Sequence, residues 1–102
     1  MKKLKFTLIL LISVLAVGFI QAQGIEDGKK FLYYDKLVSA KNVFQQLLTA
    51  NPNNEEAAYW LGQTLIAPDE DKDITGAKAV YQTGLALNAN SALLNAGMGH
   101  IE

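Results

Sequence analysis

From Gly24 onward, apolar residues recur at intervals of three and four, as in Phe31, Tyr34 and Leu37 or in Val43, Leu47 and Ala50. That period sets one face of a helix toward a core. Few β-branched residues alternate with polar ones, so the stretch reads as helix throughout. Clusters of Pro, Asn and Asp punctuate it around Asp35 and Lys36, at "NPNN" (51–54) and at "APDEDKD" (67–73), with a weaker break at "NANS" (88–91), because these residues favour turns over helix continuation. The pattern predicts helices near 24–34, 37–50, 55–67 and 74–88, and one from 92 onward. Connections this short make each helix fold back on its predecessor.

Residues 1–22, "MKKLKFTLILLISVLAVGFIQA", follow a different rule. Lys2, Lys3 and Lys5 precede an apolar run of 15 residues from Phe6 to Ile20, and a small residue follows at Ala22. This is the three-part pattern of a secretory signal peptide. The run falls short of the roughly 18 residues a membrane span needs. Cleavage is expected between Ala22 and Gln23, the alternative being a retained N-terminal anchor. Export to the periplasm or cell envelope follows, with membrane contact only through the leader before cleavage. The chain has no cysteine, so neither a disulfide framework nor a lipidated cysteine at the leader boundary is available.

Self-similarity organises the remainder. Gly28 falls on Gly62 at an offset of 34, and Gly62 falls on Gly99 at an offset of 37. Ala40 matches Ala77, Phe44 matches Tyr81, and Ala89 replaces Pro52, each at an offset of 37. The three additional residues belong to the turn "PDEDKD" (68–73), where an insertion leaves helix register intact. Units near 23–54 and 55–91 emerge, with the start of a third at 92–102. Gly28, Gly62, Ala40 and Ala77 let backbones approach, and Phe44 and Tyr81 fill the space left. Asp35 and Asp73 precede second helices and are expected to cap them, each worth about 1 kcal/mol. Gly84 is expected to weaken its helix by about 1 kcal/mol relative to alanine.

The period, the glycine of the first helix, the alanine with an aromatic four residues later in the second, and the terminal proline resemble the tetratricopeptide repeat family. The first unit meets its pattern through Gly28, Phe31, Ala40, Phe44 and Pro52, the second through Leu61, Gly62, Ala77 and Tyr81. Position 58 is Ala where the family usually has Trp, and the single tryptophan stands two residues on, at Trp60. The resemblance covers residues 24–102. It implies an all-α fold of antiparallel helix-turn-helix repeats, a TPR-like α-solenoid of about two and a half units after the signal helix. Such arrays usually need about three units, so this chain is expected to be the N-terminal piece of a longer array, or to self-associate through its uncapped last repeat.

Charge and chemistry narrow the function. Without its leader the chain keeps six of nine lysines against ten acidic residues, a net charge of −4, and it has no arginine. Neutralising phosphates with that balance is difficult, so nucleic acid is not an expected partner. The lone histidine, His100, has no nucleophile beside it in sequence. Asp69, Asp71 and Asp73 have the opening spacing of a calcium loop, but Ile74 and Val80 stand where that loop requires Gly and Glu. No metal, cofactor or catalytic residue is expected.

Binding remains. The resemblance implies that first helices line a concave groove for peptide segments of other proteins. It points to Ile25, Lys29, Leu32 and Tyr33, to Tyr59, Gln63 and Ile66, and to Ala96 and His100. Lys29, Tyr33, Tyr59 and Gln63 are the foremost candidates, the tyrosines because aromatic rings give contact area at low entropy cost. The expected function is a non-enzymatic protein-interaction scaffold. Alternatives are a structural spacer, a helper region of a larger envelope protein or enzyme continuing beyond residue 102, and a glycan-binding surface protein.

Overall fold

The structure is a computed structural model that describes residues 24–101. The leader expected at 1–22 lies outside the described residues. Five helices run through the described chain: α1 (Ile25–Tyr33), α2 (Leu37–Ala50), α3 (Glu55–Ile66), α4 (Ile74–Leu87) and α5 (Ala92–Ile101). Each bound lies within one residue of the pattern's prediction. None of these helices is long and apolar enough to cross a membrane.

Each helix packs on the next, and α3 also packs on both α1 and α5. The odd-numbered helices therefore form one layer and α2 and α4 the other. Between α2 and α4 lies a cleft of about 250 Å³, walled by Leu48 and Val80 and floored by Ala58 and Leu61 of α3.

Two aromatic rings hold the layers together. Phe44 of α2 and Tyr81 of α4 are fully buried. A β-carbon added at Gly28 would overlap the Phe44 ring, and one added at Gly62 would overlap the Tyr81 ring. The rings thus lie flush on helix backbone, a fit only glycine allows. Tyr81 also meets α5, where a β-carbon at Gly97 would come within 2.7 Å of the ring. Ala40, Phe44 and Leu61 form one buried cluster and Ala58, Ala77, Tyr81 and Leu94 the other, with Leu48, Leu65 and Val80 touching both.

The α5 glycine that makes such a contact is Gly97, whereas Gly99, the one the offset of 37 selects, has open space around it. Gly84 also differs from expectation. A β-carbon there would stand 2.6 Å from Cδ1 of the fully buried Leu94, so the helix propensity lost at Gly84 makes room for α5.

Side chains set most of the helix starts. At "NPNN", Asn51 Oδ1 accepts from the Asn53 amide at 3.1 Å and Asn54 Oδ1 accepts from the Ala57 amide at 3.1 Å. The first bond tightens the turn and the second caps α3. Asp73 caps α4 as expected, accepting from the Gly76 amide at 2.8 Å. Ser91, the last residue of "NANS", accepts from the Leu94 amide at 3.2 Å and donates to Glu55 Oε2 at 3.0 Å. It thereby ties the start of α5 to the start of α3.

Asp35 does not cap α2. The residue before that helix is Lys36, without a side-chain capping bond, and Asp35 itself sits at φ 60°. The amide of Lys36 reaches the Phe31 carbonyl at 2.8 Å and that of Asp35 reaches the Leu32 carbonyl at 3.1 Å. These two bonds are the Schellman closure of α1, and Asp35 fills its left-handed position. Both aspartates precede a second helix; the backbone at Asp35 belongs to the helix before it.

Two contrasts follow, read by chemical denaturation. Gly62→Ala should cost about 1–3 kcal/mol through overpacking, while Gly99→Ala should be neutral or stabilise by up to about 1 kcal/mol, as a helix-interior glycine ordinarily does. Asp73→Ala should cost about 1 kcal/mol, while Asp35→Gly should cost nothing or stabilise, because glycine takes the left-handed conformation without steric penalty.

Candidate functional site

The layer of α1, α3 and α5 presents a row of polar and aromatic side chains. Its centre is Gln63, on the third turn of α3. The Gln63 amide nitrogen donates to the Tyr81 hydroxyl at 3.0 Å and pairs with His100 Nδ1 at 2.9 Å. Two hydrogens on one nitrogen serve both bonds, so Nδ1 accepts and the imidazole proton sits on Nε2. The Tyr81 hydroxyl in turn points at the Tyr59 carbonyl oxygen, 3.5 Å away.

Aromatic rings surround this chain of bonds. Tyr59 lies 6.5 Å from both the Tyr81 and the His100 rings and meets Trp60 edge-on at 5.0 Å. Trp60 carries the Lys29 ammonium over its face, 5.2 Å from the ring centroid. That arrangement is worth about 0.5–1 kcal/mol at an exposed site. Lys29 also lies 3.5 Å from Glu26, an exposed pair that adds little. Lys29, Trp60, Tyr59, Gln63 and His100 thus run across three helices, all partly or fully exposed.

Of the four foremost sequence candidates, the structure links Tyr59 and Gln63 through Tyr81 and His100 and brings Lys29 to them through Trp60. Tyr33 is not joined to this group. It is 83 % exposed, and its ring meets that of Tyr34 edge-on at 5.2 Å. Leu32 and Ile66 pack against the core clusters, as does Ile25, while Ala96 is exposed beside His100 on α5. Trp60 and Tyr81 are the residues sequence reasoning left out of the site. Trp60 departs from the family pattern, and Tyr81 reads as core because it matches Phe44. Its hydroxyl is the signal, since a buried phenol needs a partner.

Burial pushes the Tyr81 phenol up from its ordinary 10.0 to about 12, the Gln63 hydrogen bond pulling the other way and Tyr59 adding to the rise. Its unionised form is what the fold accommodates. Among the described residues no group of three or more His, Cys, Asp or Glu side chains could hold a metal ion. In the 68–73 turn Asp73 is engaged as a cap and Asp71 takes φ 58°. The row therefore offers ring faces, an amide, an imidazole and one ammonium, groups suited to contacting a ligand's backbone and side chains. No protein-family model, curated protein or solved structure matches the chain.

The Tyr81 shift has a definite sign. A folded-state value raised above the unfolded one stabilises fully below pH 10, and that stability is lost as pH rises toward 12. Absorbance titration of the phenolates should show one component ionising near pH 12 or on unfolding. Tyr81→Phe should remove that component and flatten the loss of stability across the same window.

Proposed function

We propose that this chain is a non-enzymatic protein-interaction scaffold of the tetratricopeptide repeat type, exported to the cell envelope, which binds an extended segment of a partner protein along the α1–α3–α5 face. The observation that carries the reading is the row Lys29–Trp60–Tyr59–Gln63–His100, in which residues from three successive odd-numbered helices converge while staying partly open to solvent. The repeat reading is supported by the recurrence of a ring on a glycine, Phe44 on Gly28 and Tyr81 on Gly62. It is also supported by the separation of α2 from α4 while α3 touches both its odd-numbered neighbours. A layer held apart on one side and joined on the other curves, with the joined helices inside.

An extended peptide suits such a face. Tyr59, Trp60 and His100 supply contact area without long flexible stems, and the Gln63 carbonyl oxygen has no protein partner among the described residues, which leaves it to accept from a peptide amide. Hot spots of this kind combine rigid aromatics with a few fixed polar groups.

The single tryptophan lies within the row and reports on it. Peptides selected from a random array against residues 23–102 should change Trp60 fluorescence on titration. Tyr59→Ala with Gln63→Ala should weaken their binding at least tenfold, a cost of about 1.4 kcal/mol, with helical circular dichroism retained. Selected peptides that bind this double variant as tightly as the parent chain would place recognition elsewhere.

A further inference from the structure

The end of the molecule where α1 turns into α2 and α3 into α4 carries features the groove does not use. Tyr33 is 83 % exposed, Val38 75 % and Tyr34 62 %. Large side chains exposed side by side are unusual in a chain this size and mark contact surfaces. Around the first turn stand Lys30, Lys36 and Lys41 with one acidic residue, Asp35; around the second stand Asp69, Glu70, Asp71 and Asp73 with two basic residues, Lys72 and Lys78. All of them are exposed. Lys30 precedes Tyr33 by three residues on α1, and Lys41 follows Val38 by three on α2, so each lysine shares a helix face with an exposed apolar side chain.

The two turns adjoin. Val38 and Lys41 line one groove together with Pro68, Asp71 and Asp73. Among the described residues none of these charges has an ion-pair partner within 4.0 Å, the one such pair being Lys29 with Glu26. A basic and an acidic turn therefore lie side by side with exposed aromatics next to them.

We infer that this end is the contact surface for a second copy of the chain, in a two-fold symmetric dimer. A partner of single charge would gain at one turn and be repelled at the other. A two-fold axis between the turns sets each basic turn against the other copy's acidic turn, twice over, and closes Tyr33, Tyr34 and Val38 between the copies. The surface is complementary to itself, as a two-fold contact requires.

Sedimentation velocity of residues 23–102 tests this, with circular dichroism confirming that each variant is folded. A concentration-dependent dimer is expected, weakened at least about tenfold when salt rises from about 0.05 M to about 0.5 M, as screening of facing charges requires. Lys36→Glu with Lys41→Glu should be monomeric, and so should Asp69→Lys with Glu70→Lys. Mixing the two variants should restore a dimer, because each then supplies the charge the other lacks. Tyr33→Ser with Tyr34→Ser should weaken association without touching charge. A chain that stays monomeric at millimolar concentration overturns the inference, and so does a dimer that survives both charge reversals. In the latter case its loss in Leu93→Asp would assign the contact to α5 instead.

Discussion

The contact of the Tyr81 ring with bare helix backbone is the constraint on which the rest of this structure depends. One ring lies against Gly62 of α3 and Gly97 of α5 while rooted in α4, so three helices take their spacing from a single side chain. A β-carbon at either glycine would push a helix away, and protein interiors pack too tightly to absorb the displacement. Phe44 does the same for α1 and α2 at Gly28. In a chain with no disulfide and a small core, two such contacts carry a large share of the tertiary definition, since buried aromatics contribute more area than any other side chain.

The row of side chains on the α1–α3–α5 layer grows out of the same contact. Because Tyr81 is a tyrosine and not a second phenylalanine, its ring fills the core while its hydroxyl reaches the α1–α3–α5 layer and fixes the Gln63 amide. The amide's second hydrogen holds His100 on α5. Packing in the core is thereby converted into orientation at the surface: the ring sets the distance between α3 and α5, and the hydroxyl sets which way Gln63 faces. Trp60, beside Tyr59, extends the row to α1 through Lys29.

Much of the fold is legible in the sequence. The three-and-four spacing of apolar residues and the punctuation at 51–54 and 68–73 locate all five helices to within a residue, because helix period and turn chemistry are local properties. Offsets of 34 and 37 also select Gly62 and place Gln63 opposite His100, which are 37 apart. What escapes is nonlocal or conformational. Asp35 and Asp73 look alike in sequence, but only the backbone angle at Asp35 shows that it closes α1. Gly97 and Gly99 differ by two residues, and only the position of the Tyr81 ring decides which one is needed. The Ser91–Glu55 bond spans 36 residues and has no local signature. Trp60 stands two residues from where the resembled pattern has its tryptophan, and only the fold shows that Lys29 of α1 covers its ring.

The most direct test of this account is a double-mutant cycle between Gly62 and Tyr81, with stability measured for Gly62→Ala, Tyr81→Leu and both together. If the ring rests on the Gly62 backbone, the alanine's cost should largely vanish once the ring is gone, giving a coupling of about 1–3 kcal/mol. Additive effects, with Gly62→Ala costing as much in the leucine background as in the parent, would contradict it.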